Sequence, residues 1–379
     1  MSNIKIVICS VLKPINDARM YEKFGISIAE TGKYEVHIIG YPATAPNHPG
    51  ITFHSLSRFK RISFKRFLAS WKISKIILNV KPEVIIVNTH ELLVIMILHK
   101  ILFGPKILYD IQENYFRNIW YQNNFPPGIK HILALSVRLK ELISAPFLSY
   151  KILAEERYHE ELPFVKKKAV VVRNKYNPIR KINAFKEKDP EGKLRFLYSG
   201  TVSKVYGIEE ALRFFKAINK IKPSTLTIIG HCADHQLFIK LETEAKREPS
   251  IVLNIDKSPI DHEKIEGVYP FTDFALTPYP YNSSTVNCLP VKFYEYIAHR
   301  IPIIAPNYND SWIKFLSKYE AGLFINFNDF NPEKTLEVLK QSRFFQGTIQ
   351  QDIYWESEKD RLLNILALLR NKAPYPSNQ

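Results

Sequence analysis

The sequence predicts an α/β protein built of two doubly wound halves, and three observations predict it. Short β-branched runs alternate with longer helix-period segments along nearly the whole chain, as a parallel sheet covered by crossover helices requires. The alternation stops once, across a polar stretch containing Lys and Pro at residues 175–193, and then restarts. A length of 379 residues also exceeds what one hydrophobic core usually supports, while an apolar share of 46% is ordinary for a folded protein.

In the first half, residues 1–174, strands are expected at Ile4–Cys9, Glu35–Ile39, Val84–Val87, Lys106–Tyr109, Lys151–Ala154 and Ala169–Val172, with helices between them and Asp17 as cap of the first. Residues 175–193 read as a linker. The second half, residues 194–355, is expected to place strands at Leu194–Tyr198, Thr225–Ile229, Ile251–Ile255, Phe274–Thr277, Ile303–Ala305 and Leu323–Ile325. Residues 356–379 hold a last helical segment, Glu358–Leu369, and a tail from Pro374 to Gln379.

The longest apolar run, Leu92–Leu98, stops at His99 and Lys100, short of the roughly 20 residues a membrane span needs. The N-terminus enters its first apolar run without a basic region or cleavage site, so no export signal is expected. Cys9, Cys232 and Cys288 lie far apart, without metal or disulfide spacing, which fits a reducing, cytoplasmic compartment. The formal charge is +16, of which +14 falls in residues 1–180. An anionic partner met by the first half is expected: a phosphate-rich membrane, a lipid-linked phosphate or nucleic acid.

No GxGxxG follows the first strand and no GxxxxGK[ST] occurs, so the usual dinucleotide and P-loop cradles are missing. A glycine turn does follow the first strand of the second half, in Tyr198-Ser199-Gly200-Thr201-Val202, with Gly207 opening a helix. Such a turn lets backbone amides approach an anion, although many serve only as turns. Asn287–Ala305 carries more information. A helix starting near Pro290 puts Asn287 and Leu289 at its N-terminus and Glu295 over a turn inside, the one acid among Phe293, Tyr294, Tyr296, Ile297 and Ala298. A carboxylate in such company is costly to bury unless it is paired or binds something, and it can accept both hydroxyls of a ribose. Residues 57–75 interleave Arg58, Lys60, Arg61, Lys65, Arg66, Lys72 and Lys75 with Phe59, Phe64, Phe67 and Trp71. That pattern fits a helix lying on an anionic membrane, and no RNP, zinc-finger or recognition-helix pattern supports nucleic acid.

Asn287–Ala305 resembles the PxKxxEYxAxGxPVIA signature of the group 1 retaining glycosyltransferases of GT-B fold. Five further elements in matching order are similar to that family: Pro14–Arg19 to its PxDxR opening, Tyr109–Glu113 to YDxHE, Val172–Asn174 to xxPN, Ser199–Thr201 with Tyr206–Ile208 to GxLxxxKG, and Tyr354–Glu356 to SWE. The resemblance covers nearly the whole chain. It implies two Rossmann-like α/β/α domains with parallel sheets facing across a cleft, an N-terminal acceptor domain and a C-terminal donor domain, and a last helix that returns to the first domain. Glu295 would hold the ribose. Backbone groups of Cys288, Leu289 and Pro290 would meet the diphosphate or sugar, and Gly200, Thr201 and Lys204 would line the phosphate side. His90 and Glu113 would face the cleft from the first domain, His90 either touching the acceptor or serving as a structural cap. The nucleotide-sugar is the substrate, and neither a metal nor another cofactor is implied.

Three departures bear on the chemistry. Asn287 stands where many members have an acid, so it can bond sugar hydroxyls but cannot stabilise positive charge. Gln112 replaces a histidine and cannot act as a general base. Tyr206 replaces a basic residue, leaving Lys204 and Lys292 as candidates to neutralise phosphate. The family's front-face reaction tolerates these changes, because the departing phosphate oxygen itself takes the acceptor proton. The expected function is transfer of a sugar from a UDP- or GDP-sugar onto a glycan or polyprenyl-phosphate-linked acceptor in bacterial surface polysaccharide synthesis, at the inner face of the membrane. The alternatives are a GT-B-fold sugar-nucleotide epimerase and a noncatalytic basic membrane- or RNA-binding protein.

Overall fold

A computed structural model describes residues 4–59, 64–121, 126, 128–178, 192–282 and 288–370, with the side chains of residues 64, 65 and 67 outside that set. The chain divides into two compact units, Met1–Asn177 with Trp355–Gln379, and Pro178–Tyr354. Each is a doubly wound parallel sheet.

The first unit holds β1 (Ile4–Pro14), β2 (Tyr34–Tyr41), β3 (Ile51–Ser55), β4 (Val84–Val87), β5 (Lys106–Ile111), β6 (Tyr150–Leu153) and β7 (Ala169–Val171), in the order β3-β2-β1-β4-β5-β6-β7. Every pairing is parallel. Because side chains alternate along a strand, Val7, Cys9 and Val11 of β1 enter one core and Ile6 and Ile8 the other. The first core is closed by Ala69, Ile73 and Ile77 of the helix Phe64–Val80 and by Leu93 and Met96 of the helix Leu93–Phe103. The second is closed by Met20 and Phe24 of the helix Ala18–Gly25 and by Leu362, Ile365 and Leu366 of the helix Glu356–Arg370. Asp17 caps Ala18–Gly25 by accepting from the amides of Arg19 and Met20, each at 3.0 Å.

The segment that enters this unit from the far end of the sequence is held by specific bonds. Trp355 donates its indole N–H to Ser27 Oγ at 2.9 Å and packs on Phe24. Its amide donates to Tyr176 O at 2.7 Å. Glu358, fully buried, pairs with Lys175 at 2.6 Å and accepts from the Arg173 amide at 3.1 Å. Lys175, Tyr176 and Asn177 therefore belong to the first unit; of the rest of the expected linker, Pro178 begins the second unit and residues 179–191 lie outside the described residues.

The second unit holds β8 (Leu194–Thr201), β9 (Ser224–His231), β10 (Ile251–Asp256), β11 (Phe274–Leu276), β12 (Ile303–Pro306) and β13 (Gly322–Ile325), ordered β10-β9-β8-β11-β12-β13 and again parallel throughout. In each sheet the strand order reverses beside the first strand, between β1 and β4 and between β8 and β11. Crevices at the carboxyl ends of strands beside such a reversal are where open α/β sheets bind ligands. At the carboxyl ends of β8 and β9 Gly200 pairs with Gly230, and a Cβ on Gly230 would sit 1.7 Å from Gly200 O.

Candidate active site

In the second unit the polar groups gather around Ser199, near the end of β8. Its carbonyl accepts from Lys292 Nζ at 3.0 Å, and its Oγ lies 2.7 Å from the Tyr296 hydroxyl. Both partners come from the helix Val291–Ala298, which follows β11. Two aromatic rings flank the Lys292 amine, Tyr198 at 5.4 Å and Tyr279 at 5.1 Å from its nitrogen. Removal from water pulls the Lys292 pKa down to about 8, against the opposing pull of the Glu295 carboxylate. The amine therefore stays largely charged at neutral pH.

Pro290 occupies the cap position of that helix and offers its first-turn amides no side-chain acceptor, only its carbonyl, which takes the Phe293 amide at 3.0 Å. The helix has no acid in its first turn either, so among the described residues its N-terminus keeps its partial positive charge. The helix after β8 differs. Ile208–Asn219 begins at Gly207 with Glu209 and Glu210 in its first turn, and Glu209 binds Lys240 at 2.7 Å. Of the two N-termini beside the strand reversal, the one at Val291 is the better anion site. Gly207 has φ +78°, and a Cβ there would lie 2.0 Å from Pro278 O, so the turn into Ile208–Asn219 rests directly on the segment leaving β11.

Glu295 lies one turn beyond Lys292 and is half-buried. Its Oε2 accepts from the Tyr269 hydroxyl at 2.8 Å and stands 3.3 Å from His262 Nε2. His262 also approaches Glu266, at 3.5 Å, and the His299 ring packs edge-on against Tyr269, with 4.8 Å between centroids. Burial lowers the His299 pKa to about 4, over the opposing effect of Glu295, so this ring is neutral at pH 7. His262 and Tyr269 lie outside every motif that the sequence offers; only their packing against the helix brings them to the carboxylate.

The remaining expected donor residues are placed as follows. Gly200 has φ +96° one residue before the end of β8; Thr201, which closes the strand, pairs with His231 and is exposed. Lys204 is exposed and lies 4.0 Å from Glu209. The Cys288 carbonyl accepts the Trp312 indole N–H at 2.6 Å, which pins the approach to Val291–Ala298. Leu289 and Pro290 are half-buried beside it. Asn287 lies outside the described residues.

In the first unit, two of the segments that carried the family resemblance meet at Asp110. This fully buried carboxylate accepts from Arg19 Nη2 at 2.7 Å and Nε at 2.9 Å, from Asn88 Nδ2 at 2.7 Å and from Gln112 Nε2 at 2.9 Å. Arg19 also donates to Val172 O at 3.0 Å. The Gln112 amide is thus engaged in holding a buried ion pair. His90 is buried, packs edge-on against Tyr115, and has no hydrogen-bond partner for Nδ1 among the described residues. Burial lowers its pKa to about 4, with Glu91 pulling upward and Lys140 and Arg66 downward, so it is neutral at pH 7.

Glu113 is exposed and lines a cavity of about 340 Å³ together with Leu12, Lys13, Tyr41, Phe59 and Tyr115, at the carboxyl ends of β1, β2 and β5. His90 and Gln112 are not among its lining residues. The cavity offers aromatic faces, one amine and one carboxylate, a set suited to a hydroxyl-rich ring. Lys13 and Tyr41 lie outside every motif that the sequence offers, and Phe59, expected on the membrane-facing segment, lines this cavity. Among the described residues no group of His, Cys, Asp and Glu is arranged to hold a metal ion.

Two Rossmann-like parallel sheets of seven and six strands in a single chain define the GT-B architecture. No family model matches the chain, and no curated protein matches it. Solved structures do. Sucrose-phosphate synthase from Thermosynechococcus elongatus is similar over 98% of this chain and 100% of its own, with a TM-score of 0.72 at 16% identity. HepE from Anabaena, solved in complex with UDP and glucose, is similar over 96% of this chain and 100% of its own, with a TM-score of 0.64 at 11% identity. A putative UDP-N-acetylglucosamine 2-epimerase from Listeria monocytogenes covers 100% of both chains, with a TM-score of 0.61 at 12% identity. At these identities it is the fold that is shared.

Proposed function

We propose that this chain is a retaining glycosyltransferase of the group 1 type that moves a sugar from a UDP- or GDP-sugar onto a glycan or polyprenyl-phosphate-linked acceptor in bacterial surface polysaccharide synthesis. The observation that carries the reading is the helix Val291–Ala298. It joins a helix N-terminus without a first-turn acid, the Lys292 amine and the Glu295 carboxylate on one short element at the carboxyl edge of the second sheet. A nucleoside diphosphate has the complementary chemistry: anionic oxygens for the amides and the amine, and vicinal ribose hydroxyls for the carboxylate. The complex of HepE with UDP and glucose supports the same ligand class.

The chemistry then rests on alignment and charge. Lys292 and the helix N-terminus stabilise negative charge as it builds on the departing diphosphate, and the leaving oxygen takes the acceptor proton. No general base is required, which suits a first unit whose His90 is neutral and buried and whose Gln112 is engaged with Asp110. The acceptor sugar occupies the cavity beside Glu113, and the exposed Trp71, Lys72 and Lys75 of the 57–75 segment contribute to peripheral membrane contact.

The test is a binding and turnover screen of UDP- and GDP-sugars, with product anomers assigned by NMR. Transfer with retention is expected. Product formed without any acceptor would favour the epimerase reading, which the fold shared with the Listeria protein keeps open. A chain that binds no nucleotide at all would overturn both.

A further inference from the structure

One face of the first unit's sheet is covered by Phe64–Val80 and Leu93–Phe103, and the helix Ile129–Ser144 packs beside the latter. The outer surface of this layer is apolar. Ile129–Ser144 buries Ala134, Val137, Glu141 and Ser144 while exposing Ile132, at 70%, with Leu135, Leu139 and Ile143. Its outward side is more apolar than its inward side, the inverse of a water-facing helix. Leu93–Phe103, apolar on its buried side as well, leaves Leu98, Ile101 and Leu102 exposed, the last at 69%. More than half of the large apolar side chains exposed among the described residues lie on this layer. A monomer in water rarely displays such a surface without a partner for it.

The charges say which partner. The three helices carry eight Lys and Arg residues, of which Arg66 pairs with Glu91 and Arg138 with the buried Glu141, the one acid on them. We infer that this layer is a docking surface for an anionic lipid bilayer, with Ile129–Ser144 and Leu93–Phe103 embedded in the interface and the exposed Lys72 and Lys75 among the headgroups. A second copy of the chain fits poorly, because a two-fold interface would set the cations of each layer against those of the other. Nucleic acid would satisfy the cations and leave the leucines wet. The helices lie in the plane of the membrane: among the described residues none is long and apolar enough to cross one. The inference shares with the proposed function only its peripheral membrane contact, and it moves the centre of that contact from residues 57–75 to the two neighbouring helices.

The test uses the full chain and cosedimentation with two kinds of vesicle, phosphatidylcholine alone and phosphatidylcholine mixed with phosphatidylglycerol. Binding to the mixed vesicles is expected to be at least about tenfold tighter than to the neutral ones. The pairs Leu135→Gln with Leu139→Gln and Leu98→Gln with Leu102→Gln should each weaken it about tenfold or more, since each removes two exposed apolar anchors. These side chains are exposed, so melting temperature and nucleotide-induced shift should match the wild type. Undiminished vesicle binding in both variants would overturn the inference. So would a wild-type dimer that these substitutions split into monomers while no vesicle is bound. Vesicle binding without a nucleotide shift would instead count against the donor site alone.

Discussion

Replacing Glu295 by two different residues separates its part in the fold from its part in binding. In the free chain Oε2 is already engaged by the Tyr269 hydroxyl at 2.8 Å and approached by His262 at 3.3 Å, so a ribose is counted as gaining one new charge-assisted bond rather than two. Such a bond contributes about 1.5–3 kcal/mol, so Glu295→Ala should weaken UDP or GDP binding by about 10- to 150-fold. The same change strands the Tyr269 hydroxyl, which is only 2% exposed, at a cost of about 1–3 kcal/mol of stability. Glu295→Gln keeps an acceptor for Tyr269 and removes the charge. It should leave the melting temperature near the wild-type value and still weaken nucleotide binding by about tenfold. Isothermal titration with each nucleotide gives the affinity, and unfolding without ligand gives the stability. A Gln variant that binds as tightly as the wild type would refute the ribose assignment, whatever the Ala variant does.

Lys292 supplies a pH test. Its pKa is lowered to about 8, so the amine loses its charge as pH rises through that value, and nucleotide affinity should fall by up to about tenfold between neutral pH and well above it. Lys292→Met should bind weakly at every pH, and titrations across that range would show whether the slope disappears. Glu141 makes the opposite kind of group, because burial raises its carboxyl to about 7 and outweighs both the Arg138 charge and the Tyr109 hydrogen bond. A carboxyl whose folded pKa exceeds its unfolded value of 4.5 favours the folded state while protonated, so stability should decline as pH rises from 4.5 through 7. Glu141→Gln should flatten that decline and gain up to about 3 kcal/mol above pH 7, read by urea unfolding. Gly230→Ala would place its Cβ 1.7 Å from Gly200 O, so it should cost about 2–3 kcal/mol and lower nucleotide affinity by displacing the end of β8; unchanged urea midpoints would show that the strands can part cheaply.

Much of the architecture is legible in the sequence because parallel strands buried on both faces leave continuous apolar runs. β4 is a simple run of Val and Ile and β12 one of Ile and Ala closed by Pro306, and the periodic segments between such runs give the helices. β3 is not legible: Ile-Thr-Phe-His-Ser is a short edge strand behind a Pro-rich stretch, half-exposed and without an apolar run. β8 extends three residues past the expected Tyr198, through Gly200 and Thr201, because its pairing with β9 continues to His231. At the candidate site, the spacing of Lys292 and Glu295 places both on one helix and can be read directly. Their partners cannot. His262 and Tyr269 arrive from a segment before β11, and Arg19 meets Asp110 across 91 residues, contacts that only tertiary packing decides. The basic and aromatic alternation in residues 57–75 points toward a membrane. On Leu93–Phe103, by contrast, both faces are apolar, so composition alone does not reveal which one is left uncovered.

The order in which the chain leaves the ribosome follows from where Trp355 and Glu356–Arg370 reside. The strands that emerge first have one side covered only in part, by Met20 and Phe24, until Leu362, Ile365 and Leu366 arrive, whereas all of Pro178–Tyr354 is available before then. During synthesis the half that begins earliest is completed last. Its sheet must wait, exposed to chaperones and to neighbouring nascent chains, for the final helix to be made.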